Sequence, residues 1–332
     1  MTAQTADPAL PIAPSASLHT GSLHTGSAEA PLIPADGAER PARFPGPSLS
    51  PSRAADFKTC PLLFRFRTID RLPEQPSPDQ VRGTLVHAVL ERLFDLPAED
   101  RTPDAAAELI EPQWHRLVAE EPALAELFEA VVGATADLPL TDFLAGARAL
   151  LDGYFTVEDP RRLEPAERET LISTLVDDEL LIRGYIDRLD VSPEGDLRVV
   201  DYKTGGAPRE AFEGRALFQL KFYALVLWRT RGVVPRVLRL LYLKDAEVCD
   251  YSPDAQELER FERTLVALSQ AIERAKRDQD FRPKPSRLCG WCSHQQFCPE
   301  FGGTPPPYPV QAAPEAPDAV PGPLDVTPDP AG

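Results

Sequence analysis

The stretch Arg183-Gly184-Tyr185-Ile186-Asp187-Arg188-Leu189-Asp190, followed by Val199-Val200-Asp201-Tyr202-Lys203-Thr204-Gly205, decides how this chain reads. Leu180–Val191 and Leu197–Tyr202 alternate or run apolar with β-branched residues, which predicts two strands. Between them Ser192-Pro193-Glu194-Gly195-Asp196 supplies a turn. Residues two apart on a strand share a face, so Asp201 and Lys203 point the same way. A hairpin returning through Gly195 brings Asp187 beside Asp201. Two close carboxylates repel and raise one another's pKa unless a cation lies between them. Carboxylate oxygens with a backbone carbonyl suit Mg²⁺ or Mn²⁺. A lysine ammonium beside such an ion orients water or neutralises charge developing on a phosphate oxygen. The plain alternative is a surface hairpin with an ordinary ion pair; the second carboxylate on the preceding strand speaks against it.

Outward from this hairpin, Ser52–Phe57 starts a helix with Ser50 or Ser52 as its N-cap. Apolar residues at 85, 86, 89, 90, 93 and 94 give residues 79–94 helical spacing. Residues 104–155 are acidic and Ala/Leu-rich, again with helical spacing. Thr170–Leu175 reads as a further strand, 209–230 as a helix, 236–243 as a strand and 254–278 as a long charged helix. That order predicts a mixed α/β domain with a small central sheet flanked by helices.

The chain has 332 residues, 35 Lys and Arg against 52 Asp and Glu, and a formal net charge of −17. A protein that holds nucleic acid by overall positive charge is excluded. The charge is unevenly spread, however. Residues 95–179 carry 21 acidic and 6 basic side chains, and 1–48 and 303–332 are also net acidic. The remaining segments, which carry the hairpin, are mildly basic. Eighteen of the 37 prolines fall in 1–48 and 303–332. Such composition does not bury enough apolar surface to offset the entropy of ordering. Both are therefore expected to be disordered tails, the first containing a duplicated Leu-His-Thr-Gly-Ser pentamer with His19 and His24. An ordered domain is expected over 49–302, with an acidic helical insert at 95–165 and a cysteine region at 283–300. There is no apolar run long enough for a transmembrane helix and no secretory pattern, which points to the cytoplasm, where disulfides are rare.

Three further groups stand out. His87 lies on the apolar 79–94 helix; by itself it reads as a core histidine, and it becomes a metal ligand if that helix abuts the sheet. Gln219 and Tyr223 are four apart on one helix face, either a half-buried face or a polar pair touching nucleic acid. Cys289-Gly-Trp-Cys292 and Cys298 place three thiols in ten residues, which in a reducing compartment points to metal. A fourth ligand is then needed, from Cys60, Cys249 or His294. Cys249 sits in a strand-like segment and reads as structural. Cys60 precedes a proline, as cysteines at cluster sites do. Zinc and an iron–sulfur cluster both accept four thiolates, and spacing does not choose between them.

In order along the chain stand Ser50-Pro-Ser-Arg53 with Cys60-Pro, Arg82-Gly-Thr-Leu-Val-His87, Gly184-Tyr-Ile-Asp187-Arg, Val200-Asp201-Tyr-Lys203-Thr-Gly, Gln219-x₃-Tyr223, and Cys289-x₂-Cys292-x₅-Cys298. This set resembles the RecB-type nuclease family of the PD-(D/E)XK superfamily. It is more closely similar to the iron–sulfur branch that includes CRISPR-adaptation nucleases and AddB-type nuclease domains. The resemblance implies a restriction-endonuclease-like core closed by a C-terminal iron–sulfur staple. It implies metal ligation by His87, Asp187, Asp201 and the Tyr202 carbonyl, and catalysis by Asp187, Asp201 and Lys203. It places Gln219 and Tyr223 beside DNA, and a [4Fe–4S] cluster on Cys60, Cys289, Cys292 and Cys298. The superfamily's Pro-Asp pair is replaced by Ile186-Asp187, the acidic insert has no counterpart, and no Walker motif occurs.

The expected function is that of a Mg²⁺- or Mn²⁺-dependent DNA exonuclease acting on single strands or ends in repair or recombination. The alternatives are a non-catalytic DNA-end-binding subunit, partnered by a helicase or an adaptation-complex protein, and a zinc-stapled structural module. No membrane partner is expected.

Overall fold

A computed structural model describes residues 46–74, 76–128, 139–207 and 213–309. The duplicated pentamer with its two histidines, and most of both proline-rich ends, lie outside the described residues. The chain divides into two compact units, one reaching residue 55 and resuming over 75–274, the other made of 56–74 with the stretch from 275 onward.

The first unit holds a six-stranded mixed sheet: β1 (Ser48–Leu49), β2 (Glu167–Val176), β3 (Leu180–Val191), β4 (Leu197–Lys203), β5 (Val237–Tyr242) and β6 (Glu247–Tyr251). β2 pairs antiparallel along nearly the whole of β3. The other edge of β3 is shared. β1 takes Leu181 and Ile182 in parallel, and β4 takes Arg188–Val191 antiparallel. Between these two pairings the edge of β3 over residues 183–187 is left open, and the cleft forms there. β4 and β5 pair in parallel, which requires a crossover, and β6 closes the sheet antiparallel to β5.

Helix α1 (Pro51–Thr59) starts in this unit, with Arg53 N–H donating to Ser50 Oγ at 3.3 Å, so Ser50 is the cap. A short helix α2 (Pro61–Phe64) belongs to the second unit. Helix α3 (Pro78–Leu93) begins with a capping box between Ser77 and Gln80. The acidic insert forms α4 (Pro103–Glu120), the single turn α5 (Ala123–Glu126) and α6 (Leu140–Val157). It is no appendage. Phe143, Ala147, Leu151 and Tyr154 of α6 and Trp114 of α4 share one core with Leu85, Val89 and Leu93 of α3 and with Val200, Tyr202, Leu241 and Leu243 of the sheet. Helix α7 (Glu213–Arg231) is the β4–β5 crossover. It meets the other face of β4, the one that carries Asp201 and Lys203. Helix α8 (Ala255–Asp278) follows β6 and packs Phe261 against Phe218 of α7, ring centroids 5.0 Å apart. Among the described residues no helix is long and apolar enough to cross a membrane.

One glycine shows how tightly the insert is docked. A Cβ on Gly153 of α6 would stand 1.9 Å from the backbone carbonyl oxygen of Leu243. Backbone does not yield as a flexible side chain does. Gly153→Ala should therefore destabilise the protein by about 3 kcal/mol or more, since overpacking costs of that order arise from a single methylene. A melt within 1 °C of wild type, on the rough scale of 2–4 °C per kcal/mol, would show the insert to be loosely attached.

In the second unit Phe64 stacks on Phe281 (6.4 Å) and Phe281 on Tyr308 (6.1 Å). Arg65 lies over the Tyr308 ring at 5.2 Å and donates to the Pro306 carbonyl. The tail expected from residue 303 is thus corrected at its start, because residues 303–309 are packed into this unit by an aromatic stack. Ser48, placed in the N-terminal tail by composition, is part of β1.

Candidate active site

β3 and β4 part at Asp187. The ladder ends with Arg188 opposite Val200. At the next position the Tyr202 N–H donates to Asp187 Oδ2 (2.8 Å) in place of a strand partner. This holds the carboxylate in the plane where the strands separate. His87, from the middle of α3, reaches the same point. Its Nε2 is 3.0 Å from the Tyr202 carbonyl oxygen, and its Nδ1 is 3.6 Å from Asp187 Oδ2. Of the expected set of His87, Asp187, Asp201 and the Tyr202 carbonyl, the structure brings His87, Asp187 and the carbonyl together here.

Asp201 and Lys203 share a face as predicted, with Lys203 Nζ 2.5 Å from Asp201 Oδ2. Lys203 also donates to Gln219 Oε1 (2.9 Å), and Gln219 Nε2 donates to the Tyr223 hydroxyl (2.8 Å). The helix pair thus extends the Asp201–Lys203 unit along α7. Gly184 keeps this arrangement close, since a Cβ there would come within 2.7 Å of the Tyr223 ring. A cavity of about 680 Å³ opens beside Lys203, Gln219 and Tyr223, with Ser50, Ser52 and the half-exposed Tyr185 on its walls.

One residue was not anticipated. Glu169, on β2, has Oε1 3.6 Å from His87 Nδ1. It forms with His87 and Asp187 a trio whose ligand atoms all lie within 4.8 Å of one another. No motif marks it; only its register opposite Asp187, once the hairpin of β2 and β3 is drawn, would have found it.

The electrostatics follow from this crowding. Burial pushes the Asp187 carboxyl up; His87 and Lys203 pull it down, Asp201 and Glu169 push it further, and it stands at about 7. Burial alone would lower His87, but Asp187, Glu169 and Asp201 outweigh it and raise the imidazole to about 9. Burial also lowers Lys203, and Asp201 and Asp187 more than compensate. The carboxylates of Glu169 and Asp187 with the His87 imidazole, and the Tyr202 carbonyl beside it, are a donor set that fits a hard divalent ion.

In the second unit Cys60, Cys289, Cys292 and Cys298 line one largely apolar cavity of about 60 Å³ with Leu62 and Phe66. Lys284 N–H donates to Cys60 Sγ (3.4 Å) and Ser286 N–H to Cys289 Sγ (3.3 Å). Burial pushes the Cys298 thiol up and a backbone N–H at Glu300 pulls it back, while Cys60, Cys292 and Cys289 each add to the rise. The other two candidates for a fourth ligand lie elsewhere. Cys249 is on β6, opposite Leu240, and His294 is buried with Nε2 2.6 Å from Glu74 Oε1. All five cysteines are free of disulfides.

The Gene 69 protein of Mycobacterium phage D29 is 26% identical over 283 residues, spanning 77% of this chain and 97% of that protein. The Gene 69 protein of phage L5 is 31% identical over 127 residues, covering 37% of this chain and 41% of its own. A Eubacterium rectale crystal structure named "putative exonuclease" aligns over 74% of this chain and 87% of its own, with a TM-score of 0.45 and 10% identity. The family model of the PD-(D/E)XK nuclease superfamily, whose members use divalent metals, matches residues 48–299, from β1 through the last clustered cysteine. With Asp187, Asp201 and Lys203 meeting where β3 and β4 part, this chain belongs to that superfamily.

Proposed function

We propose that this nuclease hydrolyses DNA with Mg²⁺ or Mn²⁺, acting as an exonuclease on single strands or ends in repair or recombination. The observation that carries the reading is the convergence of His87, Asp187, the Tyr202 carbonyl and the Asp201–Lys203 pair at the open edge of β3. His87, Asp187, Asp201 and the Tyr202 carbonyl are the residues that would hold the ion. When bound, a divalent ion supplies Lewis acidity toward a phosphoryl oxygen and lowers the pKa of attacking water. Lys203, kept protonated by Asp201 and Asp187, neutralises charge developing on the phosphodiester. Gln219 holds Lys203 from one side and is itself held by Tyr223, so the pair fixes where the ammonium points and lines the path of the DNA. The test is degradation of end-labelled single- and double-stranded DNA by the full-length chain with Mg²⁺, Mn²⁺ or EDTA. Binding of DNA ends without cleavage under every metal would replace this reading with that of an end-binding subunit.

The four clustered thiols fit a [4Fe–4S] cluster. They line one apolar cavity, two of the sulfurs accept backbone N–H groups, and prolines follow Cys60 and Cys298. Protein purified without oxygen is expected to be brown, and Cys60→Ser to lose both the colour and thermal stability, because ligation of distant segments is coupled to folding. Colourless protein containing zinc would assign the cavity to zinc instead.

A further inference from the structure

Glu169 stands beside His87 and Asp187 at a conformational cost that an ordinary ion pair does not require. β2 and β3 keep one register on both sides of it, Arg168 opposite Arg188 and Thr170 opposite Ile186, so no residue is inserted. Yet Glu169 has φ +43°, in the left-handed region that non-glycine residues rarely adopt and regular strands exclude. The alternation of the hairpin breaks there. Arg188 reaches Glu158 at the end of α6, while Gly184, four residues away and on the same face in a regular strand, lies against Tyr223 of α7. The kink turns the Glu169 carboxylate toward His87 and Asp187, and its side chain is only 15% exposed. A surface Glu pairs with a cation on relaxed backbone, for little gain. Strained non-glycine residues that persist inside a strand concentrate at functional sites.

We propose that Glu169 is a further ligand of the divalent ion, presented by this left-handed kink in β2. The proposal rests on the metal-nuclease reading above. β2 and β4 flank β3 on opposite edges. Glu169 and Asp201 thus approach the Asp187 position from either side, and Glu169 would supply one of the oxygen donors that a hard divalent ion takes beside water and substrate.

Mn²⁺ titration of the full-length chain, read by the electron paramagnetic resonance of free Mn²⁺, tests this on wild type, Glu169→Gln, Glu169→Ala, Glu169→Gly and Asp187→Asn. Glu169→Ala and Glu169→Gly should weaken Mn²⁺ binding roughly 10- to 100-fold, the scale on which loss of a metal-site partner is felt. In EDTA, Glu169→Gly should melt at or above the wild-type temperature, because glycine accepts the positive φ without strain. Wild-type Mn²⁺ affinity in both, with Asp187→Asn deficient, overturns the proposal and leaves the metal site standing. Lower melting temperatures in EDTA with unchanged Mn²⁺ affinity overturn it too, and make Glu169 a structural partner of His87. Wild-type affinity in Asp187→Asn would overturn the metal-nuclease reading itself.

Discussion

If the proposed metal-dependent cleavage of DNA holds, replacing Lys203 by methionine is expected to lower its turnover about 1,000-fold, roughly 4 kcal/mol of barrier, while DNA binding and Mn²⁺ binding persist. Lys203 contacts Asp201 and Gln219. Its ammonium is held charged by two acidic groups, so it serves as a fixed positive charge and not as a base. Arginine is a poor substitute, because its planar fork does not occupy the point between Asp201 and Gln219 that a compact ammonium does. Lys203→Arg should therefore rescue little of the turnover. Asp201 is 1% exposed, so Lys203→Met also strands a buried carboxylate and lowers the melting temperature. Single-turnover rates measured well below that temperature separate the two effects. Turnover within tenfold of wild type would remove Lys203 from the chemistry.

The second large effect is expected at Arg188, which is fully buried. Its guanidinium donates to both oxygens of Glu158 (2.6 and 2.8 Å), to Asp190 (3.2 Å) and to the Tyr202 hydroxyl (2.9 Å). Arg188→Met strands the Glu158 carboxylate, while Asp190 keeps Arg198, and should cost about 3–5 kcal/mol, most of it the cost of stranding Glu158. Since the Tyr202 main chain bonds Asp187 and faces His87, loosening that side chain also disturbs the site. Adding Glu158→Gln should recover part of the loss, as coupled neighbours do in double-mutant cycles. The pH dependence has a definite sign. Burial would raise Glu158, but Arg188 outweighs it and holds the carboxyl below the ordinary range. Its contribution is thus present above about pH 4.5, the ordinary value, and is lost as pH falls through the depressed one. In Arg188→Met only the weaker pull of Arg198 and Arg239 opposes the burial penalty. The gap in melting temperature between wild type and variant should therefore be widest above that pH and narrow on acidification. A gap that widens below pH 4 would refute the pairing.

The parts of the molecule governed by local pattern were readable in advance. β3 runs from Leu180 to Val191 as its alternation predicts, because a strand covered on one face writes its period into the sequence. β4 and the Asp201–Lys203 face followed from the same two-residue rule, and α3 from its apolar positions. The features that were not readable depend on contacts between distant segments. Glu169 is one of 21 acidic residues between 95 and 179, and its kink interrupts the period that would have marked it. Arg188 looks in sequence like a surface arginine inside a motif; only α6 arriving with Glu158 makes it a core residue. The insert was legible as acidic helices, but that its apolar stripe supplies half of the core around α3 was not. β1 is two residues long and has no period to detect.

The second unit joins chain near residue 60 to chain near residue 290, with all of β2 to α8 between them. On a ribosome these ends do not appear together. Cys60 leads Cys289 by 229 residues, about 10–45 s of synthesis at 5–20 residues per second. The last residue of the sheet unit, Arg274, is made 15 residues before Cys289, while Cys60 waits without the partners that share its cavity. The order of assembly is thereby set by the chain itself: the sheet first, the cysteine unit last. Every newly made molecule passes through a period in which Cys60 is present without the three thiols that share its cavity.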